Sequence, residues 1–239
     1  MNKHYGWQSW LRFLLWSYAI GMVGFYLILR WRTAPRKEDR VTVLPRNSSV
    51  VATADPMVSI IVPVRNEERN IQRCVQSLLE QDYEHYEVIT VDDGSTDGTG
   101  HILNELTHIH PHGNRLWVLR LRNLAAGWAD KPYAIHMGVQ EAQGEWLLFT
   151  DADTWHAPHA LRSSIMQALQ QQIDMFTLRP AQKLPSFGRY ILIRREVYDL
   201  VGGYARPDLR GTLLDGRNLA RVVKENGFKV LSGNGCSLH

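Results

Sequence analysis

Apolar residues recur along this chain at two different spacings. Short runs, Val58–Val62, Tyr86–Val91, Leu116–Leu121 and Trp146–Phe149, return at intervals of about thirty residues, the length of a βαβ unit. The first run is almost continuously apolar, as a strand covered on both faces should be. Between the runs the apolar positions follow helical spacing. Ile71, Val75, Leu78 and Leu79 mark one face; Ile102, Leu103, Leu106 and Ile109 mark a second; Ala134, Ile135, Gly138, Val139 and Ala142 mark a third. Asn66 is placed to cap the first helix, with Glu67 and Glu68 in the first turn, where the helix dipole favours acids. The alternation predicts an α/β fold, a mostly parallel sheet with helices on both faces. Ligands should bind beyond the C-terminal ends of its strands.

The first thirty residues follow another pattern. Phe13–Leu29 is uncharged and dominated by large apolar residues. Its length approaches the ~20 residues that cross a hydrocarbon core. Trp7, Trp10 and Trp16 lie toward one end and Tyr26 and Trp31 toward the other, as interfacial aromatics do. A cleaved signal peptide would end on small residues, whereas this run ends in Arg30-Trp31-Arg32. An interfacial helix would show a polar stripe, and there is none. Residues 1–32 are therefore expected to form a single-pass N-terminal transmembrane anchor. The Arg30, Arg32, Arg36 and Lys37 cluster places everything after it in the cytoplasm. Residues 33–56, with Pro35, Pro45, Asn47, Ser48, Ser49 and Pro56, read as a linker, and 57–239 as the folded domain.

Composition narrows the function classes. The chain has 239 residues, 44 % hydrophobic and 21 % charged, which suits one good-sized core and excludes a disordered chain. Cys74 and Cys236 provide neither a disulfide framework nor zinc spacing, in keeping with a reducing compartment. Net charge is +3, but residues 1–46 carry eight basic against two acidic residues, so the rest of the chain is at −3. A mildly acidic domain is not built for nucleic acid, whose binding depends on neutralising phosphates. The basic N-terminal excess suits anionic lipid headgroups instead.

The chemistry gathers at the predicted strand ends. The first strand runs into Pro63-Val64-Arg65-Asn66-Glu67, the second into Asp92-Asp93-Gly94-Ser95-Thr96-Asp97-Gly98, and the fourth into Thr150-Asp151-Ala152-Asp153. Carboxylates brought together in one crevice need a cation or hydrogen-bond donors, which points to a divalent metal or a ribose. Asp97 reads more simply as a cap for the helix after it. The alternating His108, His110 and His112 stand beside Pro111 and Gly113 and read as solvent-exposed loop residues. His156 and His159 read as helix-surface residues rather than an extension of a metal shell. No glycine fingerprint of a nicotinamide-binding fold follows the first strand, and no Gly-Lys-Ser/Thr run of a P-loop occurs.

The set Pro63-x-x-Asn66-Glu67, Asp92-Asp93-Gly94-Ser95-x-Asp97-Gly98, Gly127-Trp128-x-x-Lys131 and Asp151-x-Asp153 resembles the family-2 glycosyltransferases of GT-A fold. The Gly-Trp-x-x-Lys variant behind an N-terminal span is most similar to the bacterial membrane enzymes linked to hopanoid and carotenoid glycosylation. The resemblance covers 57–178, a donor half, and more loosely 187–231, within a shortened acceptor half, 179–239. It implies that Pro63 and Glu67 line the base and ribose pocket with Asn66 in the same motif. Asp93 would hydrogen-bond a uracil-like base, with Asp92 nearby. Lys131 would offset the acids or meet the diphosphate, Asp151 would sit by the ribose and sugar, and Asp153, with Asp151, would hold Mg2+ or Mn2+. The expected reaction is an inverting, metal-assisted transfer of a sugar from a nucleotide diphosphate, a UDP-sugar, to a lipid-type or other hydroxyl.

The chain departs from that pattern in its second half. The family's general base comes from an acidic pair just before a Leu-Ala helix start. The matching stretch here is Leu214-Asp215-Gly216-Arg217-Asn218-Leu219-Ala220, with glycine at the base position. Asp215 is then either the catalytic base, displaced by one residue, or an N-cap. The stretch between Leu178 and Phe187 is also shorter than in the family. A nucleotide-sugar-binding protein at the membrane, without transfer activity, is the alternative expectation.

Overall fold

The structure, a computed structural model, describes residues 55–179, 189–211 and 216–234. The expected anchor at 1–32 and nearly all of the linker lie outside the described residues, as does Asp215. Among the described residues no helix is long and apolar enough to cross a membrane.

The expected alternation is present. Strand β1 (Val58–Val64) leads to helix α1 (Ile71–Leu79), β2 (Tyr86–Asp92) to α2 (Thr99–Ile109), β3 (Leu116–Arg120) to α3 (Asp130–Glu141), and β4 (Trp146–Thr150) to α4 (Ala160–Gln170). The second half adds β5 (Met175–Arg179), β6 (Tyr190–Arg194), α5 (Arg195–Leu200), α6 (Pro207–Arg210), α7 (Gly216–Glu225) and β7 (Val230–Asn234). The strands form one sheet in the order β3-β2-β1-β4-β6-β5-β7. Strands β1–β4 are mutually parallel, and only β6 runs against its neighbours β4 and β5. The order reverses between β1 and β4, which opens a crevice beyond their C-terminal ends.

Residue alternation within the strands explains the two helical layers. Val58, Ile60, Val62 and Val64 of β1 pack with Cys74, Val75 and Leu78 of α1, Leu103 of α2 and Leu161 of α4. Ile61 faces the other way, toward Ile135 and Val139 of α3, in a cluster that also holds Tyr198, Leu219 and Val223. Both faces are thus dry, as the continuous apolar runs require. Gly138 lets α3 approach the sheet: a Cβ there would stand 2.7 Å from Ile61 Cγ2 and 3.0 Å from Val91 Cγ2.

Two local expectations differ from the structure. Helix α1 begins at Ile71 after Asn70, so Asn66 is not its cap. Asn66 has φ 54°, a left-handed conformation that asparagine tolerates, and residues 67–70 form a turn before the helix. His156 is not on a helix surface but buried, and His159 is the residue preceding α4. Of the alternating histidines, His108 closes α2 and is exposed, His112 is exposed, and His110 is half-buried.

Candidate active site

The loops after β1 and β2 are tied together by short-range polar contacts. The Asn66 N–H donates to Ser95 Oγ (2.9 Å), and the Thr96 N–H donates to Asn66 Oδ1 (2.8 Å). The Glu67 N–H donates to Thr99 Oγ1 (2.8 Å). Asp97 accepts from the N–H groups of Thr99 (3.0 Å) and Glu68 (3.2 Å), but the residue capping α2 is Gly98, so Asp97 stands one position ahead of the expected cap; its hydrogen bonds, that of the Thr99 side chain foremost, hold its carboxyl below the usual range. Asp92 is buried at the end of β2, and its Oδ1 accepts the Ser95 N–H (2.9 Å). Asn66 and Asp92 therefore shape the loops.

These loops, the start of α3 and the end of β4 enclose a cavity of about 400 Å3. Pro63, Glu67, Asp93, Lys131, Asp151 and Asp153 line it, so six of the residues singled out from sequence meet in one place. Asn66 and Asp92 are not among the lining residues. Three charged residues that sequence did not single out, Arg65, Asp130 and Arg189, also line the cavity, with Val64, Ala134 and Ala152. Arg65 spans Asp130 (Nη1 to Oδ2, 2.9 Å) and Asp93 (3.5 Å). Burial raises the Asp93 pKa, with the Asp130 charge adding to the effect and Arg65 opposing it.

Asp151 lies between two cations. Lys131 Nζ approaches its Oδ1 at 3.3 Å, and Arg189 Nε approaches its Oδ2 at the same distance. Lys131 reaches this point because Gly127, at φ 83°, turns the chain into α3 while Trp128 stacks on His136 with ring centroids 4.9 Å apart. Arg189 arrives from the second half through the antiparallel pairing of β6 with β4, which sets Tyr190 opposite Thr150. That pairing is non-local, and no signal near Arg189 in the sequence announces it.

The turn carrying the two aspartates is braced from below. Thr154 Oγ1 donates to the Asp151 carbonyl (2.6 Å) and lies 2.9 Å from His156 Nε2, which is also 3.1 Å from Thr150 Oγ1. Since the Thr154 proton is used on the carbonyl, its oxygen accepts from the imidazole. Burial drives the His156 pKa down to about 4, so the ring is neutral at physiological pH. Cys74 lies against the same turn, 3.6 Å from the Asp151 carbonyl, with burial pushing its thiol up to about 12. It is a packed, un-ionised thiol.

The donor set bears on a divalent cation unequally. Asp153 is exposed on the cavity and makes no hydrogen bond or ion pair among the described residues. Its free carboxylate oxygens fit a hard cation that draws its remaining ligands from phosphate and water. Asp151, with a cation on each oxygen, fits a positioning role better than metal ligation. No group of three or more His, Cys, Asp or Glu residues able to hold a metal by itself occurs among the described residues.

Comparison with known proteins places this arrangement. The chain is 31 % identical over 118 residues to glycosyltransferase GlyG of Streptococcus pneumoniae, a match covering 49 % of this chain and 35 % of that protein. It is 32 % identical over 125 residues to the 4,4'-diaponeurosporenoate glycosyltransferase of Staphylococcus haemolyticus, covering 52 % and 32 %. The matches thus span about a third of the length of these two curated relatives. Among solved structures, the mannosyltransferase PcManGT of Pyrobaculum calidifontis, in complex with GDP-Man and Mn2+, superposes with a TM-score of 0.65 at 20 % identity, over 91 % of this chain and 63 % of that one. That likeness establishes the shared GT-A architecture. The family model described as glycosyl transferase family 2 matches residues 59–220, well over half of the chain, and spans the three strand-end motifs and the Gly127–Lys131 motif. By motif, fold and family match together, this chain belongs to glycosyl transferase family 2.

Proposed function

We propose that this chain binds a nucleotide-diphosphate sugar, a UDP-sugar in the first instance, and transfers the sugar by direct inverting displacement to a hydroxyl of a lipid-type acceptor. The observation that carries this reading is the meeting of Glu67, Asp93, Lys131, Asp151 and Asp153 in one cavity at the C-terminal ends of β1, β2 and β4. In it, Pro63 and Glu67 flank the base and ribose, and Asp93 accepts from the base. Lys131 and Arg189, already paired with Asp151, offer positive charge to the diphosphate. Mg2+ or Mn2+ on Asp153 would supply charge stabilisation for the departing diphosphate, as GDP-Man and Mn2+ in the complex of PcManGT suggest. The expected N-terminal anchor would hold the site at a membrane and raise the effective concentration of a lipid acceptor.

The test is calorimetric titration of the full chain with UDP, a UDP-sugar and GDP-mannose, with Mn2+ and then with EDTA. Saturable binding that weakens when the metal is chelated is expected, and the ranking of the nucleotides identifies the base. Non-saturable binding indifferent to metal would reject the reading.

One observation favours a second reading, a nucleotide-sugar-binding protein without transfer. The family's base position is Gly216, which has no side chain to take a proton, and a Cβ there would displace Ile191 Cδ1, 2.8 Å away. Transfer would then depend on Asp215. Turnover of labelled donor into a lipid extract, abolished in Asp215→Asn, excludes the second reading; donor binding without turnover establishes it.

A further inference from the structure

Beneath the turn that carries Asp151 and Asp153, the polar groups form a chain with one direction. Thr154 Oγ1 gives its proton to the Asp151 carbonyl at 2.6 Å. Toward His156 Nε2, 2.9 Å away, it can then only accept, so that nitrogen carries the ring proton. The other tautomer would turn a bare Nε2 toward Thr154, and ring and carbonyl would compete for one hydroxyl proton. Thr150 Oγ1 lies 3.1 Å from the same Nε2 and 3.2 Å from Thr154 Oγ1, which closes the group. The Cys74 thiol reaches the Asp151 carbonyl from α1 at 3.6 Å. With two donors on it, that carbonyl fixes the planar peptide leading out of Asp151 toward Asp153.

His156 is itself held from two sides. Its N–H donates to Ser77 Oγ of α1 at 3.1 Å, and its ring lies beside Tyr190 with centroids 5.8 Å apart. Tyr190 follows Arg189 in the chain and pairs with Thr150. The imidazole therefore stands between the turn that carries Asp151 and Asp153 and the strand that delivers Arg189. It is 8 % exposed, and an apolar residue would fill the space without the cost of burying a polar ring. We propose that His156 is a positioning residue for the divalent cation: its Nε2–H, through Thr154, sets the direction in which Asp153 presents its carboxylate. The metal role rests on the function proposed above; the hydrogen-bond chain does not. In that reading one protein carboxylate serves the ion, so an error in its aim is not averaged over other protein ligands. Groups of such a site must be held within about 0.5 Å of their working geometry.

UDP is titrated calorimetrically into the full chain in excess Mn2+ and again in EDTA, and the ratio of the two affinities measures what the metal adds. The unaltered chain is compared with His156→Leu, His156→Gln and Thr154→Val. Leucine keeps the bulk and removes the donor, glutamine keeps a donor near the place of Nε2, and valine keeps the shape of threonine without its hydroxyl. The ratio should fall about tenfold in His156→Leu and Thr154→Val, the lower end of what losing a group that orients a metal ligand costs, and recover in His156→Gln. UDP affinity in EDTA should match that of the unaltered chain, which reports an intact fold and base pocket. If His156→Leu loses binding in EDTA as well, Thr154→Val decides. An unchanged ratio in Thr154→Val, a loss in His156→Gln equal to that in His156→Leu, or a loss in EDTA shared by all three variants would each overturn the proposal. An unaltered chain that binds UDP without responding to Mn2+ would instead remove the metal from the donor reading itself, and the positioning role with it.

Discussion

Asp153 and Asp151 are two residues apart and chemically distinct. The carboxylate of Asp153 faces the cavity without a partner among the described residues, whereas each oxygen of Asp151 has a cation at 3.3 Å. Replacing Asp153 by Asn keeps the shape and removes the charge that a hard cation needs. In titrations with Mn2+, Asp153→Asn should weaken UDP binding by roughly 10–100-fold, the scale seen when groups supporting a metal are lost. In EDTA the variant and the unaltered chain should agree, and a difference there would place Asp153 on the nucleotide itself. At this scale the sequence was informative wherever a residue belongs to a local motif. Asp93, Lys131 and Asp153 could be read because each follows its own strand or opens its own helix. Arg189 could not be, since it reaches Asp151 only through the pairing of β6 with β4. Asn66 and Asp92 lie outside the cavity lining, because a motif shows which residues accompany a site without showing which of them build its loops.

The elements are held at distances that particular residues permit. Helix α3 carries Lys131 in its first turn, and Gly138, two turns on, sets how closely that helix lies on β1 and β2. In Gly138→Val the added methyl groups must displace Ile61 and Val91, overpacking a dry layer at a cost of about 1–3 kcal/mol. The gain in helix propensity over glycine is smaller, well under 1 kcal/mol for a β-branched residue. Urea unfolding should therefore show a lower midpoint for Gly138→Val. Gly211→Ala, where a Cβ meets nothing within 4 Å, should leave the midpoint nearly unchanged. Equal midpoints in the two variants would mean that α3 is free to shift. The elements of the first half were legible because their apolar spacing is regular and each covers one known face. The start of α1 was not, because four polar residues, Glu67 to Asn70, can either begin a helix or form the turn before one, and the contacts of Glu67 and Glu68 with the β2 loop decide for the turn.

For the molecule as a whole, acid stability should be governed in part by His156. Its ring is buried and neutral, with a pKa near 4, while in the unfolded chain it titrates near 6.5. Between those values the unfolded state binds the extra proton, so acidification favours unfolding. Stability should fall as pH drops from 6.5 toward 4, by about 3 kcal/mol across the window, and the His156 contribution should level off below it. Unfolding free energies measured from pH 7 to pH 4 check this, and His156→Gln should flatten that part of the profile; an unchanged slope would mean the ring is solvated. The same core has a consequence for synthesis. Strands β1 to β4 are neighbours in the sheet and can join as they leave the ribosome, but β5 has no seat beside β4, because β6, made after it, occupies that place. The nascent chain must therefore hold β5 in waiting until β6 follows, and the walls that β1, β2 and β4 supply to the cavity around Asp151 are in register before Arg189 can arrive to close it.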